Sequence, residues 1–181
     1  MVGKILEDIK SSVSNVSLLE ASYEKNGYHL SVEAQNGNIS EVAKFFKGRG
    51  FYLVDMCCVD YNDYLEIVYF YNKYKELYRI KVTVKIDADK PVVPTISNIY
   101  TMALWYEREI HEFFGVHFDG HPNLTYLFLH EGIDHYPLRK KAVPVPDDAK
   151  KLLNSYKPLE EEDCFFVNLG PQHPSTHGVL R

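Results

Sequence analysis

The chain has 181 residues, 45% of them hydrophobic, and 20 Lys and Arg against 25 Asp and Glu give a formal charge of −5. That length suits one domain with appendages, and a core that holds without disulfides or metals; three cysteines are too few for a disulfide framework and point to a reducing compartment. The acidic balance argues against a nucleic-acid binder, the charges at Lys4, Glu7, Asp8 and Lys10 against a signal peptide, and no stretch approaches the roughly 20 apolar residues of a membrane span.

Ile5, Ile9 and Val13 recur at helical spacing over Lys4–Ser14. Val16–Tyr23 and Tyr28–Ala34 read as strands. Between them stands Asn26-Gly27, the dipeptide of a type I′ hairpin turn, whose two central residues both need positive φ. Asn38 or Ser40 can cap a helix to about Lys47, with Val42, Phe45 and Phe46 inward and Gly48 and Gly50 ending it. Phe51–Val59, Leu65–Tyr71 and Leu77–Ile86 are three further strands; in the last, Tyr78, Ile80, Val82 and Val84 alternate with polar residues. The order α-β-β-α-β-β-β predicts a two-layer α+β domain, a mainly antiparallel sheet with helices on one face.

Pro91 and Pro94 break the chain before a periodic helix carrying Ile99, Met102, Tyr106, Ile110 and Phe113, which Gly115 stops. Beyond it the chain reads as loop through Arg139. Ala142–Asp163 is linker-like, with Pro144, Pro146, Pro158 and the acidic run Glu160–Asp163, and Cys164–Leu169 is again strand-like. The expected organisation is a domain over 1–141, a linker over 142–163 and an appended segment over 164–181, a C-terminal helix, long loops and an extended tail completing the picture.

On the periodic helix, Glu107 and Glu109 fall on opposite edges of the apolar stripe and Arg108 points away from it. Arg108 and Glu112, and Glu107 and His111, stand at i,i+4 spacing. Pattern alone favours an amphipathic helix with solvated charges. His111, His117, His121, His130 and His135, with Asp119 and Asp134, match no standard zinc spacing and read as polar loop and interface residues. Cys57 and Cys58 are adjacent in a strand, so they point to opposite faces; they read as small buried hydrophobes rather than cluster ligands. His29, in a strand, reads as structural. No dinucleotide-binding glycine motif, P-loop, C-x-x-C or nucleophile motif occurs.

Glu107–Phe114 reads E-R-E-x-x-E-F-F and Gly115–Leu124 reads G-V-x-F-x-G-H-P-N-L; together they resemble the signature of the C-type, or 30-kDa-type, subunit of the NADH:quinone oxidoreductase complex I. Pro137-Leu138-Arg139-Lys140 resembles that family's second hallmark, and the likeness covers about Lys4–Lys141. The pattern is departed from at three places: Thr125-Tyr126 stand where the family carries a basic residue or two, Tyr136 stands for a histidine, and Lys141 for an acidic residue. The ending Gly170–Arg181, GPQHPSTHGVLR, is similar to the start of the D-type large subunit of complex I, a relative of the large subunit of membrane-bound nickel–iron hydrogenases. Joined in one chain, the two resemble a natural C–D fusion.

The resemblance implies a non-catalytic assembly and interface domain of a respiratory translocase. This chain would bind no cofactor and no metal, while flavin, iron–sulfur clusters and quinone belong to the parent complex. Glu107, Arg108, Glu109, His121, Arg139 and Lys140 would form the interface, with Arg108 and Arg139 taking a partner's carboxylates. His177 corresponds to the quinone-contacting histidine of the D-type large subunit, whose tyrosine and aspartate partners would lie beyond Arg181, so no catalytic residue is expected here. The implied partners are a D-like large subunit, expected in the same polypeptide, and neighbouring peripheral-arm subunits. The implied place is peripheral, on the cytoplasmic face of the cell membrane and without insertion. Two alternatives stay open: the N-terminal domain of a membrane-bound nickel–iron hydrogenase large subunit, which two downstream C-x-x-C pairs would reveal, and a free-standing interaction module.

Overall fold

The computed structural model describes residues 2–74, 76–129, 133–141, 143–145 and 147. Strands β1 (Val16–Glu20), β2 (Leu30–Ala34), β3 (Phe51–Asp60), β4 (Tyr64–Lys73) and β5 (Glu76–Asp87) form one sheet in the spatial order β1-β2-β5-β4-β3. It is mainly antiparallel, as the hairpin-rich order predicts. The exception is β2 against β5, a parallel pair that sets Leu30 opposite Ile80. It arises because the chain leaves β2 through a helix, lays down β3 at the far edge, and returns through β4 to place β5 beside β2.

Alternation decides the two faces. Ile67, Tyr69 and Tyr71 of β4 and Tyr78, Ile80, Val82 and Val84 of β5 are buried on one side. Over them lie α1 (Val2–Ser12), through Ile9, and α3 (Ile39–Gly48), through Val42, Ala43, Phe45 and Phe46. Asn38 stands at the start of α3 but makes no capping bond; its amide donates to the Ser14 carbonyl (2.7 Å), tying the helix to the approach of β1.

β1 and β2 pair as an antiparallel hairpin, but the type I′ turn at Asn26-Gly27 is not formed. Instead Lys25 and Asn26 donate their N–H groups to the Ser22 carbonyl, closing a single helical turn, α2 (Tyr23–Asn26). Once that turn carries the chain round, only the residue after it needs the left-handed region, and Gly27 (φ 74°) supplies it.

The free edge of β3 is covered rather than left open. A register shift between Leu53 and Asp55 turns the Val54 carbonyl outward, where it accepts the Tyr106 hydroxyl (2.8 Å), and the Phe51 carbonyl accepts the Tyr100 hydroxyl (3.1 Å). Tyr106 belongs to α4 (Ala103–Phe114), a shorter helix than the periodicity implied. Ile99 lies in the turn before it, bonded through its N–H to the Ile96 carbonyl.

The region after α4 is more structured than a loop. β6 (Val92–Pro94) pairs in parallel with β7 (His117–Asp119), bracketing the helix. A two-stranded sheet consists of edges, which is why it tolerates Pro94. Gly115 ends α4 as expected, at φ 77°, and a Cβ there would stand 2.6 Å from the Tyr136 ring. Val143–Val145 continues on the domain: Val145 N–H donates to Asp134 O (2.8 Å), and Val145 is buried against Tyr136. The rest of 142–163, segment 164–181, His130 and His177 lie outside the described residues. Among the described residues no helix is long and apolar enough to cross a membrane.

Candidate functional site: a partner interface

Of the charges on α4, Glu107 and Glu112 are buried rather than solvated. Glu107 is 0% exposed. One carboxylate oxygen accepts the Ile96 N–H (2.8 Å) and the other the Thr95 hydroxyl. Burial pushes its pKa up from 4.5 to about 7, against the opposing pull of those two hydrogen bonds. The His121 imidazole lies 3.9 Å away, held by the Leu104 carbonyl at Nε2 (3.2 Å) and the Asn123 N–H at Nδ1 (3.0 Å). These two bonds place the proton on Nε2, and burial lowers the His121 pKa, so the ring is neutral.

Glu112 is 1% exposed and faces the segment after β7. It accepts the backbone N–H groups of Leu127 (2.9 Å), Phe128 (3.0 Å) and Leu129 (3.2 Å). Three converging amides solvate a carboxylate in place of water. Arg108 grips the same segment, its Nε donating to Thr125 O (3.0 Å) and its Nη2 to Thr125 Oγ1 (3.1 Å) and Tyr126 O (2.5 Å). The guanidinium also sits 5.4 Å from the Trp105 ring centroid. His111 is buried, with Nδ1 2.8 Å from the Val116 carbonyl, and desolvation lowers its pKa. Neither anticipated i,i+4 pair is an ion pair among the described residues. The loops bring backbone groups that would otherwise be buried without partners, and the charged side chains serve those instead.

The second hallmark also turns inward. The Arg139 Nε lies 3.1 Å from Asp60 Oδ2, an ion pair whose N–H is not aligned for a hydrogen bond. Its Nη1 and Nη2 donate to Phe114 O (3.3 Å) and Ala88 O (2.8 Å). Burial disfavours ionisation of Asp60, but the N–H groups of Lys140 and Asn62 and the Arg139 charge outweigh it and hold its pKa below the usual range. Expected to meet a partner's carboxylate, Arg139 already has one at the end of β3. Lys140 stays exposed, its ammonium 5.9 Å from the Tyr61 ring centroid. Glu109 is half-exposed, its carboxyl raised by burial and by Asp55 and Glu112.

The structure thus gathers Glu107, Arg108 and His121 at one side of α4 and sets Arg139 against the helix's last carbonyl. What these clasps present outward is apolar. Trp105 and Met102 are each 54% exposed and Phe128 is 66% exposed; Phe128 packs beside Phe113 (6.4 Å). Leu138 is exposed on the Arg139 loop, whose N–H reaches Phe113 O. Thr95 and Asp60 were missed by sequence reasoning; a lone threonine or strand-end aspartate carries no local signal.

Cys58 is buried and its thiol pushed up to about 12 by desolvation, but Cys57, on the opposite face of the same strand, is exposed. His29 stacks between Tyr23 and Tyr78. Among the described residues no group of three or more His, Cys, Asp or Glu is placed to hold a metal ion.

The described residues thus form an α+β domain whose charged signature clasps its own loops. Residues 32–147 match the family described as the respiratory-chain NADH dehydrogenase, 30 Kd subunit. The chain is 33% identical over 119 residues to an NADH-quinone oxidoreductase C/D subunit of Bacteroides thetaiotaomicron, covering 55% of this chain and 22% of that protein. It is 29% identical over 199 residues to the C/D 2 subunit of the Aquifex aeolicus NADH-quinone oxidoreductase, covering 89% of this chain and 33% of that one. The trypsin-resistant fragment (1-134) of Nqo5 superposes with a TM-score of 0.56 at 25% identity, covering 68% of this chain and 98% of the fragment. The chain belongs to the 30-kDa subunit family of respiratory-chain NADH dehydrogenases. The matched segments span between about a fifth and a third of the length of these curated relatives.

Proposed function

We propose that this chain is the non-catalytic assembly domain of a respiratory NADH:quinone oxidoreductase, packing on a D-like large subunit through the outer side of α4. The observation that carries this reading is the use made of the signature charges. Glu107, Arg108, Glu112 and Arg139 satisfy backbone groups of this chain and leave Met102, Trp105, Phe128 and Leu138 turned to solvent. Aromatic and Met side chains framed by charges such as Glu109 and Lys140 have the composition of an interface core and rim.

Relatives named as C/D proteins support a large subunit continuing in the same polypeptide, with segment 164–181 as its first residues and His177 as its quinone-contacting histidine. Flavin, iron–sulfur clusters and quinone would reside in that part and in neighbouring subunits, at the cytoplasmic face of the membrane. The test is co-purification of the 1–147 domain with the separately expressed large-subunit domain. Trp105→Ala and Phe128→Ala are each expected to weaken association about tenfold or more without lowering the thermal midpoint, since both rings are exposed. Undiminished association in the double variant would remove α4 from the interface.

A further inference from the structure

Where β3 begins and the β4–β5 hairpin turns, the sheet ends in a cleft of about 510 Å³ that shares no residue with the α4 surface. A column of three rings lines one part of it. His29 lies between Tyr23, with centroids 4.7 Å apart, and Tyr78, at 5.0 Å, all nearly parallel. A second stack, Tyr52 on Tyr74 at 4.3 Å, lines another part, and Tyr74 is 73% exposed.

The remaining lining is polar and ordered. Arg79 N–H donates to His29 Nδ1 (3.0 Å), which leaves the imidazole proton on Nε2. Arg79 Nε donates to Asn72 Oδ1 (3.2 Å), which orients the guanidinium while its two Nη groups donate to nothing among the described residues. Lys73 and Glu76 neutralise each other at 2.9 Å, so among the described lining residues the net charge is that of Arg79. The Tyr78 hydroxyl is buried, with no hydrogen-bond partner among the described residues. Flat tyrosine faces suit a heteroaromatic ring, and a guanidinium fork suits a phosphate or carboxylate. A quaternary ammonium would favour the same rings but meets the Arg79 charge. The volume and mainly apolar lining are those of a small-molecule site.

We propose that this cleft binds a planar heteroaromatic anion of nucleotide size, its ring stacked on Tyr74 and its anionic group on Arg79. Nothing in this chemistry depends on the partner role of α4. Calorimetric titration of the 181-residue chain with adenosine 5′-monophosphate tests it, with adenosine and inorganic phosphate as separate arms. The monophosphate is expected to bind with Kd on the order of 100 μM, more tightly than either fragment. Arg79→Met should weaken the monophosphate about tenfold and leave adenosine unchanged. Tyr74→Ala should weaken both by about tenfold, and its exposure keeps the fold out of the comparison. Absence of saturation by about 5 mM, tighter binding of choline than of the monophosphate, or wild-type affinity in both variants would overturn the assignment.

Discussion

Glu107→Gln is the sharpest perturbation the structure offers. Glutamine keeps the shape and both hydrogen bonds: its carbonyl accepts the Ile96 N–H, and its amide donates to the Thr95 hydroxyl, which already contacts Ser97 Oγ at 2.7 Å. What it removes is the buried ionisation. The wild-type carboxyl titrates at about 7 in the fold and at its usual 4.5 in the unfolded chain. Between those values the folded state holds the proton more tightly. Its contribution to stability is therefore complete below 4.5 and lost as pH rises through 7. At 1.36 kcal/mol per pH unit, the loss amounts to about 3 kcal/mol. His111 and His121 act in the opposite sense over part of the same window. Burial lowers both, so their contribution is present above 6.5 and lost as pH falls. They are common to both proteins, so the informative quantity is the difference. Urea unfolding at half-unit steps from pH 4 to 8.5 should show Glu107→Gln gaining about 3 kcal/mol on the wild type between pH 4.5 and 7.5. A difference that stays flat, within about 0.5 kcal/mol, would mean that Glu107 ionises as freely as an exposed carboxylate and that the buried clasp is wrong.

Other expectations are equally open to measurement. Asp60→Asn and Arg139→Met should each cost about 3–5 kcal/mol in urea unfolding, because each strands a buried charge, and the double variant should cost less than the sum. Gly50 and Gly115 share φ 77°, but only a Cβ at Gly115 meets another residue, the Tyr136 ring. Gly50→Ala should therefore cost about 1 kcal/mol and Gly115→Ala clearly more, and equal losses would refute the contact. A thiol reagent should modify Cys57 in the native protein and Cys58 only on unfolding, read by mass spectrometry; simultaneous modification would contradict the strand register.

Most elements were legible because they rest on local periodicity. The alternation from Tyr78 to Val84, the spacing of Val42, Phe45 and Phe46, and Gly115 as a helix stop all act within a turn or a strand. The Asn26-Gly27 turn misled because its dipeptide suits two connections, and the carbonyl of Ser22 decides between them. Periodicity put Glu107 at the edge of the apolar stripe, whereas the fold buries it on the face it shares with Ala103, Ile110 and Phe114. Whether that edge is wet or dry depends on residues 95–97, which the pairing of β6 with β7 lays over it.

The sequence by itself determined β1 to β5, the three longer helices and the family signature, since these depend on residues a few positions apart, but not α2, β6 or β7. The tertiary structure alone decided what the signature does. Asp60 meets the Lys140 N–H across 80 positions of chain, and Arg139 beside it, and Glu112 solvates amides 15 to 17 residues away. A charge is solvated or buried according to what the rest of the chain lays against it, and spacing along the backbone carries no record of that.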